Sequence, residues 1–85
     1  MDNHIEIEKA HHLLIIHFYG EIDSVMAPVY RGQLSDLIDE SEEDVIFDFE
    51  KTSFIDSSGI GLVLGRYNQL RFEHRTLILT GLNPV

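Results

Sequence analysis

Residues Val45 to Phe49 (Val-Ile-Phe-Asp-Phe) form a short, nearly continuous apolar run with helix-like spacing on either side of it. Such a run suits a strand buried in the middle of a sheet. Before it, Tyr30, Leu34, Leu37 and Ile38 recur at spacings of four, three and one, which is one face of a helix running to about Glu40. Ser24 is the candidate N-cap of that helix, and Pro28 is tolerated near its start. After the run, Ile60, Val63, Leu64, Tyr67 and Leu70 fall on one stripe of a second helix. A helix, a buried strand and another helix form the frame that the remaining segments must fit.

Those segments are strand-like. In His4 to Lys9, Ile5 and Ile7 alternate with polar residues, the pattern of a half-buried strand. Leu13 to Tyr19 is a longer β-rich run ended by Gly20, and His11-His12 between the two falls at a turn, so the pair reads as a hairpin. Thr76 to Thr80 is a further strand, ended by Gly81. The order β-β-α-β-α-β predicts an α/β fold. Strands joined through helices pair in parallel by right-handed crossovers, which gives a mixed sheet with both helices covering one face. The 85 residues, 44% hydrophobic, read as a single domain, 1–85, without repeats or linkers. A domain of this size buries only about 60–65% of its unfolded surface, so its stability is marginal. Asn83-Pro84 has the form of an N-cap followed by proline at a first helical position, with only Val85 after it. The expectation is that the sequence stops where a third helix would begin.

Charge narrows the range of partners. Six basic residues against fifteen acidic ones give a net charge of −9, which repels nucleic acid phosphates and anionic membranes. Neither direct nucleic acid binding nor membrane binding is expected; a protein with a basic patch is the better electrostatic match. No apolar run approaches the roughly 20 residues of a membrane span. Met1 to Lys9 lacks the basic-then-apolar order of a signal peptide, so the expected location is cytoplasmic. The absence of cysteine excludes disulfides and thiolate metal sites. His11 and His12 would point to opposite faces of an extended chain, a poor arrangement for chelation, and no metal or cofactor is expected. The acids between Asp36 and Asp44 read as a solvated helix end and loop.

The most informative stretch is Phe54-Ile-Asp-Ser-Ser-Gly-Ile-Gly-Leu-Val-Leu-Gly-Arg-Tyr67, which follows a strand and opens a helix. Asp56 or Ser57 stands at the N-cap, where backbone N–H groups point outward and accept negative charge. A phosphate on Ser57 would gain about 0.3–1 kcal/mol from the helix dipole and leave the fold intact. At a protein interface the same group adds about −1.5 to −2 charge. The plainer reading is that Asp56, Ser57 and Ser58 only cap a helix. With Ile60 facing the core, Gly61, Leu62, Gly65, Arg66 and Gln69 are expected outward. Two glycines inside a helix cost about 1 kcal/mol each, which makes sense if another backbone approaches closely, either a partner's or the domain's own loops. Leu62 beside them would be an apolar anchor.

Competing motifs fit less well. Gly59-x-Gly61-x-x-x-Gly65 places its third glycine one residue late for a dinucleotide fingerprint, and no Walker sequence is present. A serine hydrolase elbow wants glycine where this chain has Ile55, and neither His17 nor His74 is evidently placed as a base. No enzymatic activity is expected.

Taken with Gly20-Glu-Ile-Asp23, the Phe54–Tyr67 motif resembles the STAS family, and within it the anti-sigma-factor antagonists of sporulation. The resemblance spans nearly the whole chain and implies a mechanism. An unphosphorylated antagonist binds an anti-sigma factor that is also a serine kinase, which frees the sigma factor. The kinase then phosphorylates the antagonist, the complex separates, and a serine phosphatase restores the active form. The resemblance makes Ser57 the phosphoacceptor, with Asp23 in a matching loop close to it. The partner-binding segment is then Asp23, Asp56, Ser57, Ser58, Gly59, Gly61, Leu62, Gly65 and Arg66. Family members continue through a helix, a strand and a last helix, so a shorter chain would expose apolar sheet surface and invite a homodimer. STAS-like modules also serve stress-signalling complexes and lipid-transport assemblies, the alternative role for this chain.

Overall fold

A computed structural model describes residues 2 to 82. Its elements are β1 (His4–Ala10), β2 (Leu13–Ile22), α1 (Met26–Asp39), β3 (Asp44–Asp48), β4 (Thr52–Ile55), α2 (Ser57–Arg71) and β5 (Leu77–Thr80). The order expected from the sequence holds, with one addition: Thr52–Ile55 is itself a strand. The Asn83-Pro84 pair lies outside the described residues.

The sheet is mixed, ordered β1-β2-β3-β5. β1 and β2 form an antiparallel hairpin in which Ala10 pairs with Leu13. His11 and His12 turn it with φ of 55° and 62°, the left-handed pair of a two-residue hairpin turn. β2 is ten residues long and serves two parallel neighbours in tandem. Its first half, Leu13 to His17, pairs with β3, and its end, Gly20 to Ile22, pairs with β4. The register shifts between Gly20 and Glu21, where Gly20 takes a φ of +84°.

Alternation along β2 decides the core. Leu14, Ile16, Phe18 and Ile22 are buried, and β3 adds Val45 and Phe47, with Phe49 just beyond it. Phe18 stacks on Phe49 and meets Phe47 edge-on, both at 5.1 Å between ring centres. Both helices cover this face. α1 buries Tyr30, Leu34 and Ile38 of its expected stripe, with Leu37 partly buried, and adds Ala27. Arg75, its side chain 7% exposed, fastens the far end: its Nε donates to Glu43 O and its Nη1 to Ile38 O, both at 2.8 Å.

Two local expectations are corrected. Ser24 does not cap α1. Asp23 does, its Oδ1 accepting from the N–H groups of Val25 and Met26 at 3.0 Å each. The buried face of α2 differs in part: Leu70 lies in the core and Val63 packs against it as expected, but the rest of the stripe does not. Leu62 lies in the core at 3% exposure, while Ile60 (56%), Leu64 (57%) and Tyr67 (44%) face out. The cause is Gly59. It seats the first turn of α2 directly on the corner made by Ile22 and Ile55, so positions 59, 62, 66, 69 and 70 turn inward. Arg66 Nη1 donates to Arg31 O at 3.2 Å, and Gln69 Nε2 donates to Ser35 O and Asp39 Oδ1 at 3.0 and 2.9 Å. These polar side chains, expected outward, instead tie α2 to α1.

Candidate functional site

Strands β2 and β4 end side by side, with Ile22 paired to Ile55 and Asp56 N donating to Ile22 O at 3.3 Å. Each strand is followed at once by an aspartate and then a helix. Asp56 has extended backbone (φ −102°, ψ −170°), and its Oδ1 accepts from Ser58 N at 2.8 Å and Gly59 N at 3.2 Å. Its carbonyl accepts the first helical bond, from Ile60 N at 3.0 Å. Asp23 repeats the arrangement on α1, its carbonyl accepting from Ala27 N at 2.9 Å. Two helix starts, each capped by a carboxylate, therefore share one corner of the domain.

Ser57 is the first residue of α2 and is exposed; Ser58 behind it is half-buried. Gly59 is buried because nothing larger fits. A Cβ there would lie 2.6 Å from Ile55 Cγ2 and 2.8 Å from Ile22 O, inside any normal contact distance. Gly61 and Gly65 face open space, with no atom within 4 Å of an added Cβ. Exposed apolar side chains belong to the same segments: Phe54 before the cap, Ile60 and Leu64 along α2, and Val25 at the start of α1.

The cap geometry changes one expectation. The Ser58 and Gly59 amides that a phosphate on Ser57 would use are already taken by Asp56. A phosphoryl group would stand beside that carboxylate and gain little from the helix dipole. Its exposure to solvent, rather than local stabilisation, would let the fold tolerate it. Leu62 is withdrawn as an outward anchor by its burial, and Arg66 is half-buried against Arg31 O. Burial, with Arg31 beside it, holds the Arg66 guanidinium below its usual pKa. The exposed Ile60 and Leu64 escaped the sequence reading because a glycine carries no hydrophobic signal. The one clue to the rotated face was Gly59 itself.

Among the described residues no histidine is hydrogen-bonded to Ser57. His17 lies on the sheet face away from the helices, bonded to Asp48 Oδ2 at 2.7 Å and Glu8 Oε1 at 2.9 Å. His74 follows the opposite end of α2. Among the described residues no group of three or more His, Cys, Asp or Glu side chains could hold a metal ion, and no helix is long and apolar enough to cross a membrane.

A mixed sheet covered on one face by two helices, with an Asp-Ser-Ser-Gly corner, defines the class. The chain matches the STAS domain over residues 4–85 and belongs to that family. It is 30% identical over 83 residues to the anti-sigma F factor antagonist of Paenibacillus polymyxa, a stretch covering 94% of this chain and 71% of that protein. Its fold is similar to the unphosphorylated form of the anti-sigma factor antagonist SpoIIAA, with a TM-score of 0.80 at 31% identity, covering 95% of this chain and 76% of that one. It is similar also to the phosphorylated form of the Bacillus cell fate determinant SpoIIAA, with a TM-score of 0.79 at 31% identity, covering 95% and 75%.

Proposed function

We propose that this domain is an anti-sigma-factor antagonist that docks, unphosphorylated, on an anti-sigma factor with serine kinase activity, and that phosphorylation of Ser57 releases it. A serine phosphatase would reset the switch, and the cycle belongs in the cytoplasm. The observation that carries this reading is the exposure of Ser57 on the first turn of α2, directly after the capping Asp56. The similarity to anti-sigma factor antagonists, one of them known in unphosphorylated and phosphorylated forms, supports the same role.

The docking surface in this reading is Asp23, Asp56, Ser57, Ser58, Gly61 and Gly65, with Ile60 and Leu64 supplying apolar contact. Gly59 and Arg66 support it from behind, one by close packing and the other by bracing α1. The two bare glycines let a partner backbone approach α2. Release then follows from electrostatics. A group of about −1.5 to −2 charge appears beside the Asp56 carboxylate in the contact zone, and burying it unpaired costs several kcal/mol. The fold is untouched because Ser57 is exposed on the first turn of α2. The near-equal TM-scores of 0.80 and 0.79 to the two forms of SpoIIAA agree with a switch that leaves the fold alone.

Calorimetry with the cognate kinase tests this. Ser57→Ala retains affinity, and Ser57→Asp weakens it by about tenfold or more. Equal affinity for wild type and both variants rejects the switch. Mass spectrometry after incubation with the kinase and ATP should place phosphate on Ser57; phosphate on Ser58 alone refutes the assignment.

A further inference from the structure

Packed helices lie about 8–10 Å apart and paired strands about 4.8 Å apart, so one helix covers about two strands. In this domain α1 lies over β2, and α2 lies over β4 and β5. β1 stands at the sheet edge opposite β5, and its helix-facing side is only half covered. Ile5 on that side is partly buried against the core, but Ile7 is 48% exposed. Between these two residues and the outer flank of α1 runs a groove of about 450 Å³, completed by Gln33, Asp36, Leu37 and Glu40. Helical spacing puts Val29, 49% exposed, on the same flank.

The groove has an apolar floor and an acidic rim. Ile5, Ile7 and Leu37 form the floor. Asp36 and Glu40, four residues apart and both exposed, form a ridge along α1. Among the described residues neither is paired with a basic side chain. Lys9, the next helix-side residue of β1, lies by Glu43 and leaves Asp36 and Glu40 uncompensated. The whole domain carries −9, which adds to the attraction for a basic ligand.

We propose that this groove docks an amphipathic, basic helix of a partner protein, which takes the next place in the helix layer, beside α1 and over β1. Apolar anchors on the partner helix meet Ile5, Ile7 and Leu37, as in other helix-in-groove contacts. Lysines or arginines on its flank meet Asp36 and Glu40. A second copy of this chain is the poorer occupant, because it brings the same acidic flank and the same net charge. The groove runs along the C-terminal half of α1, whereas Ser57 stands where both helices begin. A partner held there leaves the Ser57 corner free and is indifferent to its phosphorylation. The contact is small, so the complex is weak and reversible.

A synthetic helical peptide as long as α1, 14 residues, with leucines on one stripe and lysines on both flanks, tests this by fluorescence anisotropy. It should bind saturably, and more weakly as salt rises. The same peptide with glutamate in place of lysine should not bind. Ile7→Ser, and separately Asp36→Lys with Glu40→Lys, should each weaken binding about tenfold or more, with circular dichroism unchanged. Glu21→Lys with Glu50→Lys makes the same change of net charge at exposed positions outside the groove and should alter the affinity by less than about twofold. Ser57→Asp should leave it unchanged. In amide NMR spectra the peptide should shift Ile5, Ile7, Gln33 and Leu37 and leave Ser57 to Gly59 in place. Equal weakening by the two charge reversals overturns the proposal, because attraction to the net charge would then account for binding. A footprint at Ser57 to Gly59, or no saturable binding, overturns it as well. Binding that fades as the domain's own concentration rises assigns the groove to a second copy and rejects the partner helix.

Discussion

Asp23 and Asp56 hold matching positions: each follows one member of the paired Ile22 and Ile55, and each closes a helix start with its Oδ1. The corner proposed to face the kinase is therefore built from two carboxylates that are already committed to backbone N–H groups. Asp56→Ala should lower stability by about 0.5–2 kcal/mol in urea unfolding, and Asp23→Ala should do the same. Asp56→Asn, which keeps an accepting oxygen, should lose much less. A stability unchanged by both alanine variants would mean that neither cap contributes.

The three glycines of α2 are predicted to behave differently. Gly59→Ala drives a methyl against Ile55 Cγ2 and the Ile22 carbonyl and should destabilise by about 1–3 kcal/mol, the range of overpacked sites. Gly61→Ala and Gly65→Ala meet open space and should each stabilise by up to about 1 kcal/mol through helix propensity. If a partner backbone lies against this face, the same two substitutions weaken kinase binding. Thermal unfolding and a binding titration on one set of proteins separate the two effects.

The orientation of α2 is tested by paired truncations. Leu62→Ala removes a buried side chain and should cost about 2–5 kcal/mol. Ile60→Ala, on the exposed side, should change stability by within about 0.5 kcal/mol while weakening kinase binding. The reverse order of stability losses would restore the face expected from hydrophobic spacing.

On the opposite sheet face His17 bridges Glu8 of β1 and Asp48 of β3. Hydrogen bonds to Glu8 and then Asp48 raise the His17 pKa above 6.5. Burial pushes the Asp48 carboxyl upward, but hydrogen bonds from His17 and Glu50 N–H outweigh it and leave it below 3.8. A histidine pKa raised by folding stabilises fully below its unfolded value and ceases to do so as pH rises through the folded value. A depressed carboxyl pKa stabilises above its unfolded value and ceases to do so as pH falls through the folded one. The bridge is therefore strongest between about pH 4 and 6.5. Glu6 and Tyr19 sit on the same face, bonded to each other at 3.3 Å, and remain in the variant. The Tm of wild type should fall more between pH 6 and 8.5 than that of His17→Gln. Parallel pH profiles would remove His17 from the account.

Much of this architecture was readable in the chain because it is local. The β-rich run Leu13–Tyr19, the stripe Tyr30, Leu34 and Ile38, and the Asp56 cap each depend on residues within a few positions of one another. The structure keeps all three. β4 was not readable: Thr52–Ile55 is four residues long, and only its pairing with the end of β2 makes it a strand. Ser24 is as good a cap by type as Asp23, and the path of the chain leaving β2 selects the aspartate.

The sequence by itself determined the order of every strand and helix but β4, the turn at His11-His12 and the exposed serine after Asp56, because hydrophobic period and capping chemistry act over one or two turns. Tertiary structure decided which side of α2 is inside. Apolar residues lie on both sides of that helix, so hydrophobicity alone left its rotation open. The missing side chain of Gly59 against Ile22 and Ile55, and the reach of Arg66 and Gln69 to α1, are contacts between distant parts of the chain, and they turn Leu62 inward and Ile60 out.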